Sequence, residues 1–423
     1  MLYKNVKWMP QLLVVFGLLC TIHSGYCFET STEYHGINDT QREFVNEFVS
    51  KRYSKENDNP EYFINTSQCH IPYVDPLSPE VLKFYRPEYT TGCRKEQSLI
   101  KILYNNQANR YVLNINMEGA RQYSPSKDFS IQKNAVECCY EEIVRDGTGA
   151  EADNKFITAE LICKPKQVGG YDQCNFIWKK FHKQHYKTAY AEDNVFLSTF
   201  NYASPGFEKQ PTDYYFRPMA LAIEKTLNQT LRHGLIYCVG NRQYAEYVYD
   251  SGLRFAKRFK YQAHFGIFWT NSFSHNHYSL PATMDSTTLK YLRDMERVGY
   301  FDNAIVFFLS DHGKLFHPLD KLPEAFLEDR LPTFFISIPK WFHYTYPELI
   351  KNLERNCERL TSPYDIYMTM QHLLKINEPK FGIQAATGCT RCQSLFEEIP
   401  ENRTCVEAGI PASWCSCVPL KNN

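Results

Sequence analysis

The chain lacks net charge: its 423 residues carry 47 Lys and Arg against 47 Asp and Glu, and no basic block breaks that balance. A nucleic-acid binder needs a cationic stripe to displace the counterions of a phosphate backbone, so nucleic acid is not an expected partner. Also missing are the Gly-rich cradle of a P-loop, the Gly-x-Gly-x-x-Gly turn of a dinucleotide site and the Gly-x-Ser-x-Gly elbow of a serine hydrolase. Beyond Ile22 no apolar run approaches the roughly 20 residues of a spanning helix. Internal repeats and low-complexity tracts are absent as well.

What is present describes a folded protein of the secretory pathway. Hydrophobic residues make up 43% of the chain and aromatics 15%, enough apolar surface to offset the ordering entropy of a core. The length exceeds a usual domain of about 100 to 200 residues, so two units plus tails are expected. Lys4 and Lys7 precede the apolar run Gln11–Ile22 and the small residues Ser24 and Gly25, the layout of a signal peptide over residues 1–27. The expected location is therefore secreted. The alternative is the secretory lumen, with the same segment as an uncleaved anchor and the sole membrane contact.

Fifteen cysteines suit an oxidising compartment. Cleavage after Gly25 leaves fourteen; cleavage after Cys27 leaves thirteen and an odd thiol, free or paired between chains. Sequons starting at Asn38, Asn65, Asn228 and Asn402 permit glycosylation.

Three regions follow. Residues 28–165 begin with a polar stretch in which Gln41–Val49 has helical spacing. They continue through short alternating runs such as Ile100–Leu103 and Tyr111–Ile115, with five cysteines from Cys69 to Cys163, a pattern that predicts a β-rich, disulfide-stapled domain. Across residues 166–380 helical and buried extended patterns alternate. Helices are expected at Phe176–Phe181, Tyr214–Leu227 and Leu289–Val298, and strands at Tyr186–Tyr190, His264–Trp269, Ala304–Leu309 and Thr333–Ile338. This is an α/β pattern with a mostly parallel sheet. Residues 381–423 hold Cys389, Cys392, Cys405, Cys415 and Cys417, for which disulfides are favoured over a zinc or redox site.

Polar clusters fall where strands end: Glu192-Asp193, Asn271 to His277, and Asp311-His312 after Phe308-Leu309-Ser310. Open α/β sheets bind ligands at such exits. A carboxylate beside an imidazole can hold a divalent cation, here Zn²⁺ or Mn²⁺ with Ca²⁺ as the alternative. Two ligands are too few, so others are sought among His275, His277, Asp285, Glu192 and Asp193. A metal there would polarise phosphate or sulfate esters, with Arg217 or Arg330 pairing the anion. Structural alternatives stay open: exposed loop histidines, Asp285 as a helix cap, Glu192-Asp193 as a solvated turn, the arginines as ion-pair partners, and Asp311-His312-Gly313 as a polar turn.

Several longer stretches carry a family resemblance. They are Thr188–Asp193, Phe200–Tyr202, Gly206-Phe207, Pro211–Pro218, Trp269–His275, Phe308–Gly313, Glu328–Pro332, Thr404–Pro411 and Trp414–Cys417. In order, across most of residues 135–417, they resemble an uncharacterised animal family of sulfatase-like proteins within the alkaline phosphatase superfamily. The resemblance implies an α/β/α sandwich that binds one or two divalent metals and cleaves phosphate or sulfate esters through a Ser, Thr or formylglycine nucleophile. It implies that Asp311 and His312 are the metal pair and that His275 contacts metal or substrate.

Asn276 departs from the acidic residue expected there, and Lys314–Pro318 lacks the usual Arg and Gly pattern. A larger departure lies between Leu161–Lys166 and Gly169–Asp172. There the family's early strand, its acidic ligand and the nucleophile-bearing helix have no counterpart. The expected product is an incomplete sandwich in which the strand ending at Asp311 lacks a parallel neighbour. Ester hydrolysis is then impaired, and the alternatives are a non-catalytic binder of a glycan, lipid headgroup or protein, or a shortened product with no function of its own.

Overall fold

The computed structural model describes residues 13–18, 62–72, 83, 92–93, 100–105, 110–115, 167–202, 204–313, 319–322, 325–328, 330–376 and 383–417. The expected helix at Gln41–Val49 and the vicinal Cys138-Cys139 lie outside them. In chain order the first strands are β1 (Leu13–Leu18), β2 (Tyr62–Asn65), β3 (His70–Pro72), β4 (Ile100–Asn105) and β5 (Arg110–Ile115). Helix α1 (Ile177–Lys183), β6 (Lys187–Glu192), β7 (Tyr214–Tyr215), α2 (Arg217–Thr226), β8 (Gln229–Arg232), β9 (Leu235–Val239) and β10 (Arg242–Gln243) follow. Next come α3 (Tyr244–Arg258), β11 (His264–Thr270), α4 (Asp285–Arg297), β12 (Ile305–Leu309) and β13 (Phe334–Ser337). The last helices are α5 (Lys340–Thr345), α6 (Pro347–Arg355) and α7 (Pro363–Leu374).

Contacts divide the chain into two compact units. The first comprises Met1–Leu19, Pro87–Leu309 and Phe335–Pro339, and contains a sheet in the order β13-β12-β1-β11-β6-β7. The pairs β12–β1, β1–β11, β11–β6 and β6–β7 are all parallel. Ala189, Tyr190, Ala191 and Glu192 are buried in succession, as are His264, Phe265 and Gly266. Consecutive burial means that both faces of these strands are covered, as the expected sandwich requires, and α3 packs on both β6 and β11.

Local chemistry explains the helices. Gln243 and Glu246 form a reciprocal capping box that starts α3, whose buried face runs through Tyr244, Ala245, Val248, Tyr249 and Gly252. His264 is neutralised by burial, its pKa pushed down to about 4, while its ring bonds the Gln262 carbonyl and Tyr300 hydroxyl. It anchors the start of β11.

Two expectations are corrected. The segment Tyr214–Leu227 is not one helix. Tyr214-Tyr215 add an edge strand to β6, and α2 begins only at Arg217 with proline at its first turn, where a missing N–H costs nothing. More consequentially, the strand ending at Leu309 does have a parallel neighbour. Residues Leu13–Leu18 lie between β11 and β12, with Leu13 opposite Phe265 and Ile305, and Gly17 opposite Trp269 and Leu309. A slot inside a parallel sheet asks only for an uninterrupted apolar run of strand length, and the N-terminal run meets that demand.

The second unit comprises Cys20–Arg86, Ser310–Phe334 and Lys340–Asn423. Cys69 is bonded to Cys417, 348 residues away, and Ile64, Ile71, Leu327, Leu360 and Ala408 pack into one core around them. Within this unit Arg403 forms a two-pronged ion pair with Asp365 at 2.9 and 3.0 Å, both side chains almost wholly buried. Cys405–Cys415 and Cys389–Cys392 close the tail, so the Cys-x-x-Cys is a disulfide. In the first unit Cys93 is bonded to Cys238, and in the second Cys357 is a free, exposed thiol.

Candidate functional site

The register that sets Glu192 opposite Trp269 brings the ends of β6 and β11 out side by side. Asp193, fully buried, accepts the backbone N–H of Asn271 at 2.6 Å and of Ser272 at 3.3 Å, and the Ser272 hydroxyl at 2.6 Å. Glu192 accepts the Tyr190 hydroxyl at 2.5 Å, the Thr199 N–H and hydroxyl at 2.8 Å each, and the Asn271 amide at 3.0 Å. The acidic pair is therefore not a solvated turn. It is a polar latch between two strand exits, and its oxygens already serve protein donors.

Burial outweighs those hydrogen bonds and raises both carboxyls, that of Asp193 to about 7. A carboxyl whose folded pKa is raised stabilises the fold fully below its unfolded value near 3.8, and this contribution is lost as pH rises to about 7. Asp193→Asn is expected to flatten that dependence. Urea titrations from pH 4 to pH 8 should show wild type losing stability relative to the variant by a few kcal/mol, on the order of 4 at most. Parallel curves for the two proteins would contradict the raised value.

The expected histidines gather separately. A two-residue hairpin turn, His233-Gly234, joins β8 to β9 with both φ angles positive, at 45° and 83°. Glycine meets this at no steric cost; His233 does not, yet its ring stacks on His277 at 3.9 Å. The His277 Nδ1 lies 2.6 Å from the Ser279 hydroxyl, the His275 Nδ1 lies 2.7 Å from Asn276, and the Asn276 amide donates to the His233 carbonyl. Asn276, which departs from the family's acidic residue, thus fastens the loop to the hairpin.

Asp311 and His312 belong to the second unit and are about half exposed. The His312 N–H donates to Asp311 Oδ1 at 2.9 Å, and its Nδ1 bonds the Gly313 carbonyl. A carbonyl can only accept, so Nδ1 carries the proton and, in the neutral ring, Nε2 keeps its lone pair. That nitrogen lies 3.5 Å from Asp311 Oδ2. That separation is close to the edge of a tetrahedron with bonds of about 2 Å, so the two atoms can face one divalent metal. An imidazole nitrogen and a carboxylate oxygen suit Zn²⁺ or Mn²⁺, but two donors fall short of the three protein ligands that such a site uses.

The other candidates are dispersed. Arg217 donates to the Val195 carbonyl and Ser198 hydroxyl, in a cleft beside Glu192 that Tyr190 and Tyr215 also line. Asp285 opens α4, where burial raises its carboxyl and the helix N-terminus favours its charge. Arg330 lies over the Phe326 ring. Among the described residues the one close group of three or more metal-ligating side chains is Cys405, Cys415 and Cys417, all disulfide-bonded.

Tyr190, Thr199, Asn271 and Ser272 were not among the candidates. The polar cluster Asn271 to His277 at the end of an apolar strand signals Asn271 and Ser272, and it marks a place without assigning partners; Tyr190 and Thr199 carry no such signal.

A parallel sheet with helices packed on it defines an α/β protein. Residues 157–423 match the family described as a protein of unknown function (DUF229), and the chain belongs to that family. Among solved structures, the lipoteichoic acid synthase LtaP from Listeria monocytogenes is similar at 17% identity over 40% of this chain and 47% of that one, with a TM-score of 0.28. Ps i-CgsB, solved in complex with k-i-k-neocarrahexaose, is similar at 14% identity over 50% and 56%, with a TM-score of 0.31. BT33494S-sulf, described with glycosaminoglycan metabolism by Bacteroides thetaiotaomicron, is similar at 12% over 53% and 56%, with a TM-score of 0.32. The chain spans about half the length of these structures. No curated protein matches it.

Proposed function

We propose that this chain is a sulfatase-like protein of the alkaline phosphatase superfamily that works in the secretory pathway or outside the cell. Its ancestral reaction is metal-dependent hydrolysis of phosphate or sulfate esters, and its turnover is impaired. The observation that carries the reading is the Asp311-His312 pair directly after β12, with the imidazole proton held on Nδ1 and Nε2 facing a carboxylate oxygen. Asp311 and His312 would hold the ion, which would supply charge to an ester oxygen. Impairment is supported by Glu192 and Asp193, whose oxygens serve seven hydrogen bonds within the protein. The secretory location is supported by the disulfides in both units.

Calorimetric titration with Zn²⁺, Mn²⁺ and Ca²⁺, paired with assays on aryl phosphate, phosphodiester and aryl sulfate, tests this. Zn²⁺ or Mn²⁺ should bind at least about tenfold more weakly to Asp311→Ala and His312→Ala than to wild type, with no metal-dependent turnover in any of them. Binding unchanged in both variants removes the metal assignment. Turnover in wild type that disappears in Asp311→Ala makes the protein a working hydrolase.

A further inference from the structure

The Cys389–Cys392 disulfide sits against groups suited to its reduced form. Arg403 Nη2 donates to Cys392 Sγ at 3.2 Å, while the same guanidinium holds the buried Asp365. The hydroxyl of Ser362, the N-cap of the twelve-residue helix α7, lies 3.7 Å from the same sulfur. A cation, a helix N-terminus and the Cys-x-x-Cys spacing are the three surroundings that stabilise a thiolate. All three converge on Cys392. The Cys389 sulfur lies instead 3.4 Å from the Glu407 carbonyl, an acceptor that a thiol can use and a thiolate cannot. Against Cys392 stands the Ala408 carbonyl at 3.4 Å, and Asp365 offsets part of the Arg403 charge. The Glu407 carboxylate is turned to Arg391 and Thr404.

Position and chain geometry agree. Thr390 and Arg391, which bridge the two cysteines, are exposed, as are Thr387 and Gly388 before them, so the pair lies just beneath a surface turn. The bond spans a sequence separation of 3, whereas Cys69–Cys417 spans 348 and Cys93–Cys238 spans 145. Opening a short loop returns the least chain entropy, so this bond contributes least to the fold and can open without unfolding it.

We propose that Cys389 and Cys392 form a thiol–disulfide exchange site whose substrate is an external dithiol. The thiolate of the dithiol attacks the Cys389 sulfur, forming a mixed disulfide and expelling Cys392 as the thiolate held by Arg403 and Ser362. The second thiol of the dithiol then displaces Cys389, which takes a proton and donates to the Glu407 carbonyl. The protein disulfide is reduced by two electrons and the dithiol is oxidised to its disulfide.

The full chain is exposed to graded dithiothreitol without denaturant, alkylated and mapped by mass spectrometry. Cys389 and Cys392 should label before Cys69, Cys417, Cys405 and Cys415, with the melting temperature retained. In protein reduced at that bond, the rate of iodoacetamide labelling at Cys392 against pH should have its midpoint below the value of about 8.5 for a free cysteine. That midpoint should rise in Ser362→Ala and in Arg403→Lys, which loses the forked donor but keeps a charge beside Asp365; Ser362→Ala alone decides if the Arg403 variant does not fold. Reduction only together with the other bonds, or a wild-type midpoint at or above 8.5, overturns the proposal.

Discussion

Deleting residues 1–19 should prevent the first unit from folding. Leu13–Leu18 pairs with six residues of β11 on one side and five of β12 on the other. Without it, both strands keep a row of unpaired backbone groups in the middle of a covered sheet. Even a few such groups, at about 1–3 kcal/mol each, exceed what a domain stable by about 5–15 kcal/mol can lose. Limited proteolysis and near-UV circular dichroism of the deleted and full chains give the comparison. Adding a peptide of residues 11–22 to the deleted chain should restore part of the protection. Equal melting temperatures with and without the segment would remove β1 from the folded state.

The same six residues lie in the run that reads as a signal peptide, and one segment cannot be both removed and retained. Intact-mass measurement of the protein recovered from a secreting cell decides between them. A folded product is expected to begin upstream of Leu13.

Arg403→Met should destabilise the second unit by about 3–5 kcal/mol, because Asp365 is left as an uncompensated charge in a dry core. The Asp365 carboxylate also accepts the N–H of Ser362 and of Gln393, so its distress reaches the start of α7 and the Cys389–Cys392 loop. Combining Arg403→Met with Asp365→Leu should recover much of the loss, since an apolar pair of similar volume carries no charge to desolvate. Urea unfolding of the two single variants and the double variant measures this. A single-variant loss below about 1 kcal/mol would mean that water reaches the pair.

The strands at His264 and Ala304 and the helix at Leu289 were legible in the sequence, each as an uninterrupted or periodic apolar pattern bounded by polar residues. The contact between Asp311 and His312 is local, so sequence neighbours alone bring the two side chains together. Tyr214-Tyr215 was not, since two residues ahead of a helical pattern carry no period of their own. Leu13–Leu18 was not legible as a strand for a different reason: a short apolar run has the same composition whether it meets a membrane, a peptidase or the middle of a sheet. The latch around Glu192 and Asp193 was out of reach because Asn271 and Ser272 lie some 80 residues downstream, with separations of 78 and 79, and only strand register brings them together.

The position of β1 also sets a clock on synthesis. Its partners, β11 and β12, begin at His264 and Ile305, so the earliest strand made cannot be sheltered until most of the chain has been translated. At about 5–20 residues per second that wait is roughly 15–60 s, during which an apolar strand stands open to any other edge. Sheets closed by such distant segments form slowly. The yield of this protein should therefore depend less on the stability of the finished fold than on what holds its first twenty residues while the rest is being made.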